Sequence, residues 1–303
     1  MEYILKTKNL RKTYGKTIAL DELSMNVPKG SIYGFVGKNG AGKTTLIRLV
    51  CGLQYPTGGE LKLYNVKHDD KKINDIRKKM GAVVETPSIY PDKTAYENLK
   101  IQFDILGIKE YEEINELLKL VKLDDTGKKK AKDFSLGMRQ RLGIAVALCG
   151  NSEFLILDEP TNGLDPEGIV EMRNLLIELN KERNITILIS SHILDELSRV
   201  ATHYGFIKDG KMVKEISAEE FEKECKHTLR LEVDNNDLEK VLKKERYNYK
   251  LISSTQAELY GNVAITPLVL NLHKENINVV KLTESEESLE NYFFNLLGGD
   301  KND

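Results

Sequence analysis

With 303 residues, 40% hydrophobic and 30% charged, the chain has apolar mass for a sizeable core. At roughly 150 residues per domain its length suits about two domains. A net charge of −2 argues against a nucleic-acid partner held by bulk positive charge. No apolar run approaches the ~18 residues that cross a bilayer, and Met1–Lys6 shows no signal-peptide pattern, so a membrane role is expected to run through a partner.

The first segment, 3–10, alternates like a strand, and Leu23–Val27 suits a second one. Between them Tyr14 has two readings: a ring offered to a purine, or a turn aromatic packed on the sheet. Pro28-Lys29-Gly30 is a turn leading into a short buried strand, Ile32–Val36. Next come Gly37, Lys38, Asn39, Gly40, Ala41, Gly42, Lys43, Thr44 and Thr45, which satisfy G-x-x-x-x-G-K-[ST] and run into a helix through Val50. The glycines let backbone N–H groups point inward and cradle phosphates, and the helix turns its positive end to the same place. Lys43 is expected to reach the β- and γ-phosphates and the Thr44 hydroxyl to hold Mg²⁺.

Gly58–Leu63 reads as a strand, and Met80–Val84 as another that ends in the carboxylate of Glu85. Pro87 and Pro91 break the pattern before amphipathic helices at about 94–106 and 111–122. Lys128, Lys129, Lys130 and Lys132 read as a solvated face or, alternatively, a lipid contact. Ser135 and Gly137 open an apolar helix and offer a hydroxyl and free N–H groups to an anion, although serine is also an ordinary N-cap.

Phe154–Leu157 is a buried strand that stops at Asp158-Glu159-Pro160. Carboxylates at such an edge are costly unless a cation or a proton-transfer task occupies them. Asp158 is expected to bind Mg²⁺ and Glu159 to polarise a water as general base. Asn162–Asp165 is a turn, and Ile169, Met172, Leu176 and Leu179 form the stripe of the next helix. Ile185–Ser191 is a further strand, ended by His192, which reads as a γ-phosphate contact or as a structural residue. His68, His203, His227 and His273 show no metal-ligand spacing with Cys51, Cys149 or Cys225, so no metal cluster is expected, and the cysteines read as reduced, buried and inert.

The hydrophobic pattern restarts after the turn Lys208–Lys211. Strand 228–234, helix 236–245, strands 248–254 and 256–261, helix 266–276 and strand 277–283 follow the β-α-β-β-α-β order of a ferredoxin-like domain. A last helix, 286–297, carries Leu289, Tyr292, Phe293, Leu296 and Leu297 on one side and is expected to dock on the first domain or on a second subunit.

Taken in order, the phosphate loop, helical insertion, Ser-x-Gly helix start, Asp-Glu strand end, Asn-Gly-Leu-Asp turn and strand-end His resemble the ATP-binding subunit of an ABC transporter. The resemblance covers residues 1–217. It implies an α/β P-loop NTPase (ABC ATPase) domain with an antiparallel β subdomain and a helical insertion at about 87–150, beside an α+β accessory domain, 218–303. It also implies that Tyr14 stacks on adenine, that Asp165 is the D-loop aspartate and that His192 is the switch histidine. ATP and Mg²⁺ are the implied cofactors. A head-to-tail homodimer is implied in which Ser135, Gly137 and Met138 of one copy cover the γ-phosphate held by the other. The remaining implied partner is a separate multi-span permease, which would hold the chain peripherally at the cytoplasmic face of the membrane.

Two departures stand out. Phe134-Ser135-Leu136-Gly137-Met138 replaces Leu-Ser-Gly-Gly-Gln, and Glu85 takes the place of the usual Q-loop glutamine, where a carboxylate can still approach Mg²⁺. Glu85-Thr86-Pro87, Tyr90-Pro91 and Thr94–Leu99 resemble the branch that exports bacitracin and lantibiotic-like peptides. A soluble ABC-type switch is the alternative. It is disfavoured because such proteins carry two ATPase halves and this chain has one phosphate loop. A GTPase reading fails because Asn180-Lys181-Glu182-Arg183 is no guanine motif.

Overall fold

A computed structural model of the chain describes residues 2–224, 228–261, 263–285 and 289–296. Met1, Cys225, His227 and Leu297 lie outside the described residues. The chain divides into two compact units, Met1–Ala218 and Glu219–Asp303.

The first unit opens with a long hairpin, β1 (Tyr3–Tyr14) and β2 (Thr17–Pro28). The polar stretch Arg11–Thr13, which the sequence suggests is a connection, belongs to β1, and Lys12 and Thr13 pair across the hairpin, so Tyr14 ends a strand instead of sitting in a loop. After β3 (Ile32–Val36) and α1 (Lys43–Val50), β4 (Gly58–Leu63) and β5 (Val66–Lys67) join the hairpin in an antiparallel sheet of order β2-β1-β4-β5.

Beyond α2 (Ile73–Arg77) comes β6 (Met80–Val83), followed by α3 (Ala95–Leu106), α4 (Glu112–Leu120) and α5 (Leu136–Leu148), which pack on one another. The chain then alternates β7 (Phe154–Asp158), α6 (Pro166–Arg183), β8 (Thr186–Ser191), α7 (Leu194–Ser198), β9 (His203–Lys208), β10 (Lys211–Ser217) and α8 (Ala218–Glu224). The second sheet has the order β10-β9-β3-β8-β7-β6. Its strands β9, β3, β8, β7 and β6 are parallel. The unbroken buried runs of β3, β7 and β8, apolar but for their ends in β7 and β8, are what a parallel sheet requires, since both of its faces are covered. Helix α5 lies so close to β6 that a Cβ on Gly81 would stand 1.9 Å from the Ala147 carbonyl oxygen.

The second unit is an antiparallel sheet of β11 (Thr228–Val233), β12 (Tyr249–Leu251), β13 (Gln256–Tyr260) and β14 (Val279–Ser285), ordered β12-β13-β11-β14. With α9 (Leu238–Lys244) and α10 (Ile265–Lys274) between the strands, this is the split β-α-β topology. Leu229, Leu231 and Val233 point into a core shared with Leu238, Leu242, Leu268 and Leu272. On α11 (Leu289–Leu296), Tyr292 donates to the Glu224 carboxylate at 2.7 Å and packs edge-on against Phe221.

Cys149 is buried and Cys51 only half-buried, short of the full burial its apolar setting suggests. Burial pushes both thiols up to about 12. The sign of the consequence follows directly. Unfolded thiols ionise near pH 8.5–9 while the folded ones stay protonated, so the unfolded chain binds fewer protons above that pH. Thermal stability is therefore expected to fall steadily as pH rises from about 9 toward 12. A melting series that is flat over this interval would contradict the burial of these thiols.

Candidate functional site

Parallel register brings three chain segments to one edge. Val36, the last residue of β3, is level with Ser191 of β8, and Asp158 of β7 is level with Ser190. Gly37, Glu159 and His192 thus leave the sheet side by side, at the carboxyl ends of strands where open α/β sheets bind ligands.

Within the phosphate loop, Lys38, Asn39 and Gly40 are exposed, Ala41 and Gly42 are buried, and Thr44 and Thr45 are half-buried. Gly42 caps α1 in a left-handed conformation, φ 111°, and a Cβ there would stand 2.6 Å from the Ala19 carbonyl oxygen. Lys43 is buried, 5% exposed, and its ammonium is held by the loop and the strand edge. It donates to the Gly37 carbonyl at 2.6 Å and lies 3.2 Å from Glu159 Oε1. The Thr44 hydroxyl donates to Asp158 Oδ2 at 2.9 Å.

Glu159 uses its second oxygen on His192, whose Nδ1 lies 2.5 Å from Oε2. Where the carboxylate accepts this bond, the hydrogen sits on the Nδ1 tautomer of His192. The Glu159 backbone sits in the left-handed region at φ 52°, a strained conformation of the kind that accumulates at functional sites.

Ser190 was not singled out from the sequence, yet it joins these groups. Its buried hydroxyl donates to Asp158 Oδ1 at 2.6 Å and accepts from the Glu159 backbone N–H at 3.0 Å. The available signal was two serines closing an otherwise apolar strand, Ile187–Ile189. If this edge hydrolyses ATP as the resemblance implies, Ser190→Ala is expected to lower turnover roughly tenfold with little change in ATP affinity, because it would misplace Glu159 without touching the phosphate loop. A variant with unaltered turnover would remove Ser190 from the site.

Thr44, Asp158, Glu159, Glu85, Pro87 and Gln140 line a cavity of about 570 Å³. Glu85 is exposed and ion-paired with Arg48. Gln140 is buried, and among the described residues its side-chain oxygen has no hydrogen-bond partner. The hard oxygens of Thr44 and Asp158 on this wall suit a divalent cation such as Mg²⁺.

The other expected residues stand on separate elements. Ser135 N-caps α5 and accepts from the Met138 N–H at 3.2 Å; Gly137 lies beside Leu164, and Leu136 against Gly163. Asp165 N-caps α6, accepting from Gly168 N–H at 3.1 Å. Among the described residues no hydrogen bond joins Ser135, Gly137, Met138 or Asp165 to Gly37–Thr45. Tyr14 is 42% exposed, its hydroxyl bonded to Gln54 and its ring 5.1 Å from the Lys12 ammonium, so the ring is available instead of buried on the sheet. Of the lysine run, Lys132 pairs with Asp92 at 3.1 Å and Lys129 lies over Phe134.

A family profile described as ABC transporter matches residues 20–162. The bacitracin transport ATP-binding protein BcrA of Bacillus licheniformis is 44% identical over 303 residues, 99% of each chain. The chain belongs to the ATP-binding proteins of ABC transporters. As a member of that family it binds and hydrolyses ATP as the motor subunit of a transporter. The lantibiotic transport ATP-binding protein SrtF of Streptococcus pyogenes is 44% identical over 212 residues, 70% of this chain and 90% of its own. Among solved structures, the dimeric post-hydrolysis state of the cassette MJ0796 bound to ADP and Pi has a TM-score of 0.64 and 29% identity, covering 71% of this chain and 98% of that one. Among the described residues no helix of this ABC cassette is long and apolar enough to cross a membrane.

Proposed function

We propose that the chain drives export of an antimicrobial peptide of the bacitracin type through a separate multi-span permease. The observation that carries this reading is the reach of the similarity: the bacitracin transport protein aligns over both units, whereas the lantibiotic transport protein covers 70% of the chain. A free cytosolic switch has no comparable support.

Two copies would close head to tail, a reading supported by the dimeric cassette that shares the fold of the first unit. In this arrangement Ser135, Gly137 and Met138 of one copy would face the phosphate loop of the other, and Tyr14 would stack on the adenine. Thr44 and Asp158 would hold Mg²⁺, which supplies positive charge beside the phosphates. Lys43 would exchange Glu159 for phosphate oxygens, leaving Glu159 Oε1 to take a proton from the attacking water while His192 fixes its other oxygen. Docking to the permease would place the chain peripherally at the cytoplasmic face of the membrane. Coupling would pass through residues 86–100, near Glu85, a reading supported by the exposed Tyr90 and Tyr96 and by the loop that the buried Asn98 amide pins. That amide accepts from Tyr90 N–H at 2.7 Å and donates to the carbonyls of Tyr90 and Thr94 at 3.1 and 2.9 Å.

The test is an affinity pull-down of the tagged chain from detergent-solubilised host membranes, combined with bacitracin susceptibility of a deletion strain. Near-stoichiometric recovery of a multi-span protein, with raised susceptibility, is the expected result. Recovery of soluble partners alone would withdraw the exporter reading.

A further inference from the structure

The acid at position 85 has a dedicated counter-charge, and the geometry shows where it comes from. Thr44 and Arg48 are four residues apart on α1 and therefore share one face of that helix. From this face Thr44 reaches Asp158 at the end of β7, and Arg48 reaches Glu85 just beyond the end of β6. The two strands are parallel neighbours with Val83 level with Leu157, so Glu85 leaves its strand at the height of Glu159. Both glutamates occupy the left-handed region, at φ 61° and 52°, and both line the cavity that also holds Thr44 and Asp158. Three carboxylates thus line one cavity, and Asp158 and Glu159 already have partners in Thr44, Ser190, Lys43 and His192.

We propose that Arg48 is a positioning residue of the nucleotide site: it holds Glu85 away from the cation-facing oxygens of Thr44 and Asp158 and cancels its charge beside the phosphates. The proposal rests on the assignment of this cavity to the phosphates and their cation. Without Arg48, an uncompensated carboxylate would repel the triphosphate, and most strongly when no divalent cation shields it.

The test measures affinity of the full chain for a fluorescent ATP analogue, with excess Mg²⁺ and again with EDTA, and involves no turnover. Arg48→Ala is expected to weaken cation-free binding roughly threefold to tenfold more than Mg²⁺-supported binding. Arg48→Lys, which keeps the charge and guards against misfolding of the alanine variant, should stay within about twofold of the unaltered chain. The combination Arg48→Ala with Glu85→Gln should restore the unaltered ratio, since removal of the carboxylate removes the need for its partner. An equal loss with and without Mg²⁺, or a loss that persists in the double variant, would mean that Arg48 acts on the nucleotide or the helix directly and would overturn the proposal. Failure of the unaltered chain to bind the analogue with Mg²⁺ would instead overturn the nucleotide-site assignment, and the proposal with it.

Discussion

Glu159→Gln is expected to lower ATP turnover by roughly 10²–10⁴-fold while ATP binding is retained. The amide keeps the shape of the side chain, and its oxygen can still accept from Lys43, 3.2 Å away in the unaltered chain. His192 can meet the amide nitrogen in its other tautomer. What the amide cannot do is take a proton from water. Substrate-bound cassettes should therefore accumulate, visible as an ATP-dependent shift from monomer to dimer on size exclusion. Turnover within about tenfold of the unaltered chain would show that another group serves as base.

Gly42→Ala should be the most damaging single-methyl change in the chain's nucleotide site. The added Cβ would lie 2.6 Å from the Ala19 carbonyl oxygen and 2.8 Å from Leu20 Cδ2, at a backbone φ of 111° that L side chains rarely adopt. Backbone strain of about 1–3 kcal/mol and overpacking of similar size act together. If about 3 kcal/mol of this falls on the loop conformation that binds phosphate, ATP affinity drops on the order of 100-fold. Gly40→Ala is the control. Its φ is 83°, yet a Cβ there meets nothing within 4 Å, so only the left-handed penalty of about 1–2 kcal/mol applies. Equal nucleotide affinity in the two variants, measured by calorimetry beside their melting temperatures, would rule out the close approach as the reason for glycine at 42.

The contrast between these glycines shows where sequence reading stops. The loop Gly37–Thr45 is legible because its function depends on contiguous residues, and the Asp158-Glu159 strand end because carboxylates after an apolar run are conspicuous. The β-α-β-β-α-β order of residues 228–285 is legible for the same reason, each element carrying its own periodicity. Ser190 and Arg48 are different. Serine within a strand end and arginine on a helix are unremarkable by themselves. Their roles arise from register between β7 and β8 and from the way α1 faces β6 and β7, pairings that no local pattern encodes. The strand position of Tyr14 is hidden by the same limitation, since the polar run before it looks like a loop until Lys12 and Thr13 pair across the hairpin with β2.

The capping of α3 bears on how tightly a membrane subunit can be gripped. Thr94 and Glu97 bond each other's backbone N–H groups, and Asn98 ties the preceding turn, so residues 90–98 are already fixed in the free cassette. Ordering a residue's backbone costs about 1–2 kcal/mol, and a partner landing here does not incur that cost. On the docking proposed above, affinity would then be governed by what the partner does with the exposed rings of Tyr90 and Tyr96. A grip of this kind would be set by surface shape and would need no refolding of the loop.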